Sequence, residues 1–323
     1  MPTSEPPTVL LLTDPAHEAH AWPGHPERPE RVAPVLEGIR AGAAEAGAAL
    51  VERGADPATP EQAASVHDPR YVEWLAGTTE TGFLDADTYV AAGSPRAAFI
   101  AAGLTVAAVR AVVDGEAAVA FAATRPPGHH AGRFGGSGFC LLNGVAIAVA
   151  ALRVGRPRTK VAVLDWDVHH GNGSQELFER DEDVFYASTH QYPWYPGTGS
   201  PAEQGERLVN VPLPAGSGDA PFVGAWLSTI LPRVEAFGPD LVLVSAGYDA
   251  HRDDPLAALE VSEEGFEAVA EAIGELARRR GLKGVALTLE GGYDLDALRA
   301  SAAATVRGLL RGLAGSIDRE SGD

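Results

Sequence analysis

The chain has 323 residues, of which 45% are apolar and 21% are charged, so its composition is that of a globular protein with enough apolar material for a core. Its 25 basic and 44 acidic residues give a net charge of −19 at pH 7, which argues against nucleic acid and membrane surfaces as partners. A single cysteine, Cys140, excludes an internal disulfide, and the lack of a signal-peptide pattern or of an apolar run of about 18 residues predicts a cytoplasmic protein.

The chain is expected to form a single domain. α/β folds often reach this length as one unit, and no long polar linker divides residues 1–323. The segment at about residues 316–323 is expected to be a frayed tail.

The first half of the chain begins with a predicted strand at residues 9–12, a short apolar run. Residues 17–31 are polar and rich in histidine and proline, and they are predicted to be an irregular loop that forms one wall of a pocket. Residues 95–113 are apolar at several helical phases, which predicts a helix packed between a sheet and its neighbours. Between these lie predicted helices at residues 34–50 and 69–75 and a loop at residues 77–94.

From residue 117 onward, short apolar strands alternate with helices. This alternation implies right-handed crossovers and an α/β fold in which a parallel sheet has helices on both faces. The predicted strands are 117–122, 161–164, 183–187, 208–211, 241–245 and 285–289, and the predicted helices are 142–154, 173–179, 221–236, 262–280 and 295–313.

Polar side chains follow four of these strands directly. In an open parallel sheet, the carboxyl ends of the strands face one crevice, so we expect these side chains to meet at one rim. They are His129 and His130, then Asp165, Asp167, His169 and Asn172, then Asp249, and finally Glu290 and Tyr293.

Asp167, His169 and Asp249 are the predicted metal ligands. Carboxylate oxygens and an imidazole nitrogen suit a divalent metal such as zinc, and the absence of cysteine ligands favours a catalytic site with one open position. On spacing alone, Asp-x-His fits a loop with a salt bridge equally well. The joint occurrence of such residues at several strand ends is therefore what indicates a site.

The remaining residues suggest proton transfer. One of the adjacent His129 and His130 can act as a proton shuttle with the other as its partner. Asp165 and Asn172 are natural acceptors that orient the imidazoles. Tyr293 follows two glycines and is suited to donate a hydrogen bond to a developing oxyanion.

Seven sequence blocks occur in order over nearly the whole chain. They are His25-Pro-Glu-Arg-Pro-Glu-Arg31, Arg125-Pro-Pro-Gly-His-His130, Gly138-Phe-Cys-Leu-Leu-Asn143, Asp165-Trp-Asp-Val-His-His-Gly-Asn172, Tyr195-Pro-Gly-Thr-Gly199, Ser245-Ala-Gly-Tyr-Asp249 and Glu290-Gly-Gly-Tyr293. Together they resemble the signature blocks of the zinc-dependent histone deacetylase superfamily, in its bacterial class II-like branch with acetylpolyamine amidohydrolases and acetoin-utilisation proteins.

The resemblance implies an arginase/deacetylase fold with an eight-stranded parallel core sheet. It also implies one zinc ion on the three predicted ligands, a tandem acid/base pair, and a tyrosine that polarises the substrate carbonyl. The implied residues are Asp167, His169 and Asp249 for zinc, His129 and His130 for the acid/base pair, Tyr293 for the carbonyl, and Asp165 as the support of His129.

Further residues are implied only by this resemblance. Asn172 stands where some relatives have aspartate, which suggests an uncharged partner and a less basic ring for His130. A structural potassium ion is implied near Asp165, Ser188 and the carbonyls of Asp167 and His169, with a second site near Phe178. The implied tunnel walls are Gly138, Phe139, Tyr195, Leu256 and Gly291.

The implied activity is removal of acetyl or related acyl groups from amines by metal-activated water, with acetyl-lysine-type substrates favoured. Acetylpolyamines or other small amides are the alternative. A catalytically silent acetyl-binding protein would have lost the tyrosine, a ligand or a histidine, and none is lost. A binuclear manganese hydrolase would want another carboxylate where this chain has Gly171. The oligomeric state stays open, a homo-oligomer included.

The substrate preference is expected to depend on the rim. Polyamine-selective relatives carry a carboxylate there, and the corresponding position, seven residues after Asp249, is Leu256. Other acids can still line the mouth, namely Asp85, Asp87, Asp253 or Asp254.

Overall fold

The computed structural model of the protein describes residues 6–315. Its ten strands, in chain order, are β1 (Thr8–Leu12), β2 (Ala49–Arg53), β3 (Gly82–Phe83), β4 (Tyr89–Val90), β5 (Val119–Ala122), β6 (Val161–Asp165), β7 (Val184–Gln191), β8 (Leu208–Leu213), β9 (Leu241–Ala246) and β10 (Val285–Leu289). Eight of them form one parallel sheet in the order β2-β1-β5-β10-β9-β6-β7-β8. The predicted fold class, including the number of core strands, is confirmed.

Helices cover both faces of the sheet, because successive side chains of a buried strand point to opposite sides. In β1, Val9 and Leu11 pack into one apolar core and Leu10 and Leu12 into the other. The α-helices are α1 (Val32–Glu45), α2 (Pro60–Ala64), α3 (Pro69–Gly77), α4 (Ser94–Asp114), α5 (Gly144–Arg153), α6 (Asn172–Phe178), α7 (Asp219–Ala225), α8 (Leu231–Phe237), α9 (Glu263–Arg279) and α10 (Leu295–Ala314). The first core is closed by α1 and by α7 to α10, and the second by α2 to α6.

The predicted helix at residues 34–50 is too long, and the strand that follows it was not predicted. α1 ends at Glu45, and Gly47 then has a positive φ of 66°, a conformation that favours glycine. β2 is an edge strand with mostly exposed residues. It lacks the apolar alternation that identifies a half-buried strand, so the sequence carries no strand signal there.

The predicted helix at residues 221–236 is in fact three segments. α7 and α8 are separated by a π-helical turn, Trp226–Ile230, in which the Leu231 N–H donates to the carbonyl of Trp226. Pro232 has no N–H and crowds the preceding turn, which disfavours the regular α-helical pattern here.

Two predicted loops contain short regular elements. Residues 17–31 overlap two 3₁₀ turns, Pro15–Ala19 and Pro29–Arg31, and residues 77–94 include the small hairpin of β3 and β4. The frayed tail expected after Gly315 lies outside the described residues.

The expectation that no apolar segment reaches membrane-spanning length is wrong for α4. Within residues 6–315, this helix alone is long and apolar enough by length and composition, but most of its apolar window is buried inside the protein. α4 packs against α5 and β5, as predicted for a helix between the sheet and its neighbours.

Candidate active site

The four strand ends that carry the predicted site residues belong to β5, β10, β9 and β6, which are consecutive neighbours in the sheet. Their carboxyl ends therefore open onto one crevice. The structure brings all of the predicted polar groups to this crevice.

Asp167, His169 and Asp249 form a compact group in which one ligand atom from each lies within 4.8 Å of the others. The Nδ1 of His169 is 3.2 Å from Asp167 Oδ1 and 3.2 Å from Asp249 Oδ2. Asp249 Oδ2 is buried and, among the described residues, accepts no well-aligned hydrogen bond. A buried carboxylate oxygen without a donor is costly, so this donor set fits a divalent cation.

Electrostatics support the same conclusion. Burial disfavours a charged imidazole, but the carboxylates of Asp167 and Asp249 outweigh it and raise the pKa of His169 to about 10. Burial and the charge of Asp167 raise the pKa of Asp249. The two carboxylates thus require a positive partner, which can be a proton on the imidazole or a metal ion.

Backbone amides hold the two carboxylates in place. The Val168 N–H donates to Asp249 Oδ1 at 2.9 Å, and the Gly291 N–H donates to Asp167 Oδ2 at 2.7 Å. A Cβ atom on Gly291 would collide with both carboxylates. The predicted tunnel residue Gly291 is therefore glycine because its backbone approaches the carboxylates of Asp167 and Asp249 closely.

The adjacent histidines have different partners. His129 Nδ1 is 3.0 Å from Asp165 Oδ2, and His130 Nδ1 is 2.7 Å from Asn172 Oδ1. The amide oxygen of Asn172 can only accept, so His130 Nδ1 carries the hydrogen and its Nε2 is left as a proton acceptor. The predicted pairings of His129 with Asp165 and of His130 with Asn172 are both present.

These partners separate the pKa values of the two rings. Burial opposes a charge on His129, but the carboxylates of Asp167 and Asp165 outweigh it and raise its pKa well above the ordinary value. Burial, followed by the neighbouring His129 and His169, lowers the pKa of His130 well below the ordinary value. The pair therefore holds one imidazolium and one neutral imidazole at neutral pH.

A cavity of about 360 Å³ leads to these groups. Phe139 lines it with a positive φ of 70°, a strained conformation held by a hydrogen bond from its N–H to Thr88 Oγ1 at 3.0 Å. The Tyr293 ring also lines the cavity, and burial raises the pKa of its hydroxyl well above the ordinary value, so that it remains a donor. All five predicted tunnel residues line this cavity: Gly138, Phe139, Tyr195, Leu256 and Gly291.

Of the four acids considered for the mouth, only Asp87 lines the cavity. Asp85 accepts a hydrogen bond from the backbone N–H of Thr88 and stabilises the loop between β3 and β4. Asp253 is exposed and lies 3.6 Å from His251. Asp254 is buried and does not face the cavity.

The residues predicted for potassium also lie together. Asp165 and Ser188 are register partners on β6 and β7, next to the loop that carries Asp167 and His169. Phe178, near the suggested second site, is the last residue of α6 and is buried. Both potassium sites stay predictions.

Sequence reasoning quoted Glu290 in a motif but gave it no role. Its carboxylate accepts hydrogen bonds from the N–H groups of Gly128 and His129 and from the Ser245 hydroxyl. Burial raises the pKa of Glu290 to about 7. Glu290 thus fixes the loop that carries the tandem histidines. A glutamate directly after a mostly apolar strand was the available signal.

Sequence reasoning also missed a buried ion cluster that joins the block His25–Arg31 to Arg125. Glu27 binds Arg125 through both carboxylate oxygens, at 2.7 and 2.6 Å, and binds Arg31 at 3.0 Å. The Arg31 guanidinium lies 4.8 Å from the centre of the Tyr293 ring. The sequence signal was the charged spacing of the block from His25 to Arg31.

Two further buried imidazoles hold the loop that carries Tyr195. His170 Nδ1 contacts Thr198 Oγ1 at 2.7 Å, and His190 Nε2 contacts the carbonyl of Gly199 at 2.8 Å. His170 therefore points away from the metal group, although it belongs to the same motif as His169. The Asp-x-His spacing had singled out His169 as the predicted ligand, but it gave His170 no role.

Comparison with known proteins extends these observations. The family model of the histone deacetylase domain matches residues 25–309. Histone deacetylase 15 of Arabidopsis thaliana is 38% identical over 314 residues, which cover 93% of this chain but only 55% of that protein. The chain thus spans about half the length of this relative.

Two solved structures are similar to the whole fold. One is the crystal structure of the HDA15 HD domain, with a TM-score of 0.87, 35% identity and coverage of 94% of this chain and 88% of that chain. The other is an acetylpolyamine aminohydrolase from Burkholderia pseudomallei, with a TM-score of 0.79, 32% identity and coverage of 93% and 98%.

The metal group yields the first prediction. Asp249→Ala should remove most of the bound divalent metal, because it deletes a charged ligand oxygen. Asp249→Asn, which keeps the acceptor for the Val168 N–H, should also bind metal weakly, whereas the exposed Asp253→Ala should match the wild type. Elemental analysis and thermal unfolding check this. Full metal retention in both Asp249 variants would contradict the ligand assignment.

Proposed function

Because the chain belongs to the histone deacetylase family, we propose that it is a zinc-dependent amidohydrolase that removes acetyl groups from amines. The family's arginase/deacetylase fold is the one that the sequence blocks predicted, and it is confirmed. The observation that carries the proposal is that a three-residue metal group, a tandem histidine pair and a tyrosine line or border one apolar cavity.

Zinc fits the residues that would hold it. Asp167, His169 and Asp249 offer two carboxylates and one imidazole, a mixed oxygen and nitrogen set that leaves an open position. When bound, zinc supplies positive charge that polarises an amide carbonyl and acidifies water. The protein's contribution is to bury this group and fix its carboxylates with backbone amides.

The two histidines suit opposite proton-transfer roles. The neutral His130, with a free Nε2, is the candidate to accept a proton from the attacking water. His129, held as an imidazolium by Asp165 and Asp167, stabilises the negative charge that develops and is a candidate donor to the departing amine. Their separated pKa values supply an acid and a base at the same pH.

Tyr293 and the cavity complete the chemistry. The protonated Tyr293 hydroxyl can donate a hydrogen bond to the carbonyl oxygen as negative charge develops on it. The cavity walls contributed by Phe139 and Tyr195 favour a neutral acetamide over a free ammonium, because burying an unpaired charge is costly. Binding thus favours the substrate over the deacetylated product.

A second metal is not proposed. Gly171 stands where a second acidic ligand would be needed. Within residues 6–315, the other group of candidate ligands is His129, Cys140 and Glu290, but the carboxylate of Glu290 already accepts hydrogen bonds, and the sulfur of Cys140 accepts the His130 N–H at 3.4 Å. A silent acetyl-binding protein is disfavoured because no catalytic candidate is missing.

For the substrate, we favour acetyl-lysine-type amines over strict polyamine selectivity. Leu256 presents an aliphatic side chain to the cavity where a rim carboxylate would pair with a distal ammonium group. Asp87 is the acid at the mouth and attracts either kind of cation. The alternative, an acetylpolyamine or other small amide, draws support from the similarity to the acetylpolyamine aminohydrolase.

The tyrosine can be tested directly. Tyr293→Phe should keep the metal and the fold but reduce kcat by roughly 10²–10³-fold, the usual cost of losing one oxyanion donor. Single-turnover rates on an acetyl-lysine peptide, with metal content measured alongside, check this. Near-wild-type turnover would show that Tyr293 has only a structural role.

A pH prediction follows from the amide partner of His130. Catalysis needs the neutral ring, so activity falls as the pH drops through its pKa. Asn172→Asp adds a negative charge that favours the charged ring, and it should move the acidic limb of the kcat/KM profile to higher pH. Asn172→Ala should lower activity without this upward shift. An unchanged limb in the aspartate variant would contradict the role of His130 as base.

Substrate class is tested with a matched panel of acetyl-lysine peptides and acetylspermidine. The wild type should cleave acetyl-lysine peptides at least as well. Leu256→Glu should shift the kcat/KM ratio toward acetylspermidine by a few-fold to roughly tenfold, the scale of one ion pair, and the uncharged Leu256→Gln should not. A wild type that cleaves acetylspermidine far faster than every peptide would overturn the preference.

A further inference from the structure

We propose that Asp254 is a positioning residue that sets the place of Tyr293 and of the cavity wall at Leu256 with one buried carboxylate. This proposal rests on the proposed function, because it assigns Tyr293 to the reaction. Asp254 was considered above only as a possible rim acid, and it does not line the cavity.

The carboxylate of Asp254 joins two loops through backbone amides. Its Oδ2 accepts the Tyr293 N–H at 2.7 Å, and its Oδ1 accepts the Leu256 N–H at 2.9 Å. The residue is 7% exposed, so water competes little for either bond. Asp254 and Leu256 lie on the loop that follows β9, and Tyr293 lies on the loop that follows β10. The carboxylate of Asp254 therefore fixes the distance between the two loops.

Tyr293 needs such an anchor. Residues 290–294 lie in neither a helix nor a strand, and Gly292 has a positive φ of 116°. Two consecutive glycines leave the backbone before Tyr293 with unusual conformational freedom. Arg31 holds the carbonyls of Glu290 and Gly292, but the N–H of Tyr293 itself is bound by Asp254.

The electrostatic surroundings argue for a specific use of this carboxylate. The negative charge of the nearby metal ligand Asp249 opposes that of Asp254, and Arg31 compensates only in part. A buried acid next to another acid lowers the stability of the fold unless hydrogen bonds to the acid compensate for the cost. An asparagine would fit the space, but its amide group offers one acceptor oxygen and would turn a donor toward the second N–H.

For catalysis, the consequence is that Asp254 positions both the hydroxyl of Tyr293 and the cavity wall at Leu256. Leu256 and Tyr293 line the same cavity, in which the acyl-amine stem would lie. A displacement of about 1 Å in a positioned group can reduce a rate by roughly 10²-fold. Loss of Asp254 should therefore reduce kcat through Tyr293 without removing the metal ligands.

The test compares Asp254→Asn and Asp254→Ala with the exposed neighbour Asp253→Ala. Asp254→Ala should lower kcat by roughly 10²-fold with a much smaller change in KM, and Asp254→Asn should lie between it and the wild type. Metal content and the unfolding midpoint should stay near the wild-type values. Asp253→Ala should have wild-type kinetics.

The Tyr293→Phe background separates positioning from general damage. If Asp254 acts through the tyrosine hydroxyl, Asp254→Ala should add less than about twofold to the defect of Tyr293→Phe. If the kcat defects of Asp254→Ala and Tyr293→Phe multiply in the double variant, the positioning role is wrong. Loss of metal or of the folded state in both Asp254 variants would overturn it as well. An inactive wild type with full metal would instead refute the proposed function itself.

Discussion

Buried negative charge is concentrated at the carboxyl ends of three neighbouring strands, β10, β9 and β6, and the rest of the site is arranged to compensate for it. Burial penalises each carboxylate, and each one also repels the others. Backbone N–H groups, imidazoles and one guanidinium supply the compensation, and the glycine-rich loops let the amides approach closely. Within the described part of the chain, Asp249 Oδ2 has no hydrogen-bond donor, which makes the site receptive to a divalent cation. The carboxylates concerned are Asp165, Asp167, Asp249, Asp254 and Glu290.

The same electrostatics give two adjacent and chemically identical side chains different tasks. His129 faces carboxylates and becomes cationic, and its charge then helps to keep His130 neutral. The contrast between Asp165 and Asn172 as partners reinforces this difference. A single substitution at residue 172 would therefore change the charge balance of the pair while leaving its geometry in place.

The sequence predicted the sheet and the polar groups at its rim because both depend on local signals: buried strands are continuous apolar runs, and their ends meet by topology. The exposed edge strand β2 carries no such signal, and the helix break at Trp226–Ile230 was missed although Pro232 follows it. The role of Asp254 was also out of reach, because its contact with Tyr293 spans 39 residues of sequence. Contacts of that kind follow from loop packing, which no local pattern encodes.

The reaction class is therefore easier to predict than the substrate. The reacting groups lie directly after strand ends, whereas the cavity walls lie on longer loops such as the one that carries Tyr195. That loop is held by His170 and His190, and burial lowers their pKa values to about 3 and about 4, so both rings stay neutral far below neutral pH. The wall they support should keep its shape across the pH range of catalysis. Changes of rate with pH then report on the ionisable groups of the active site, Glu290 among them, rather than on the loop that carries Tyr195.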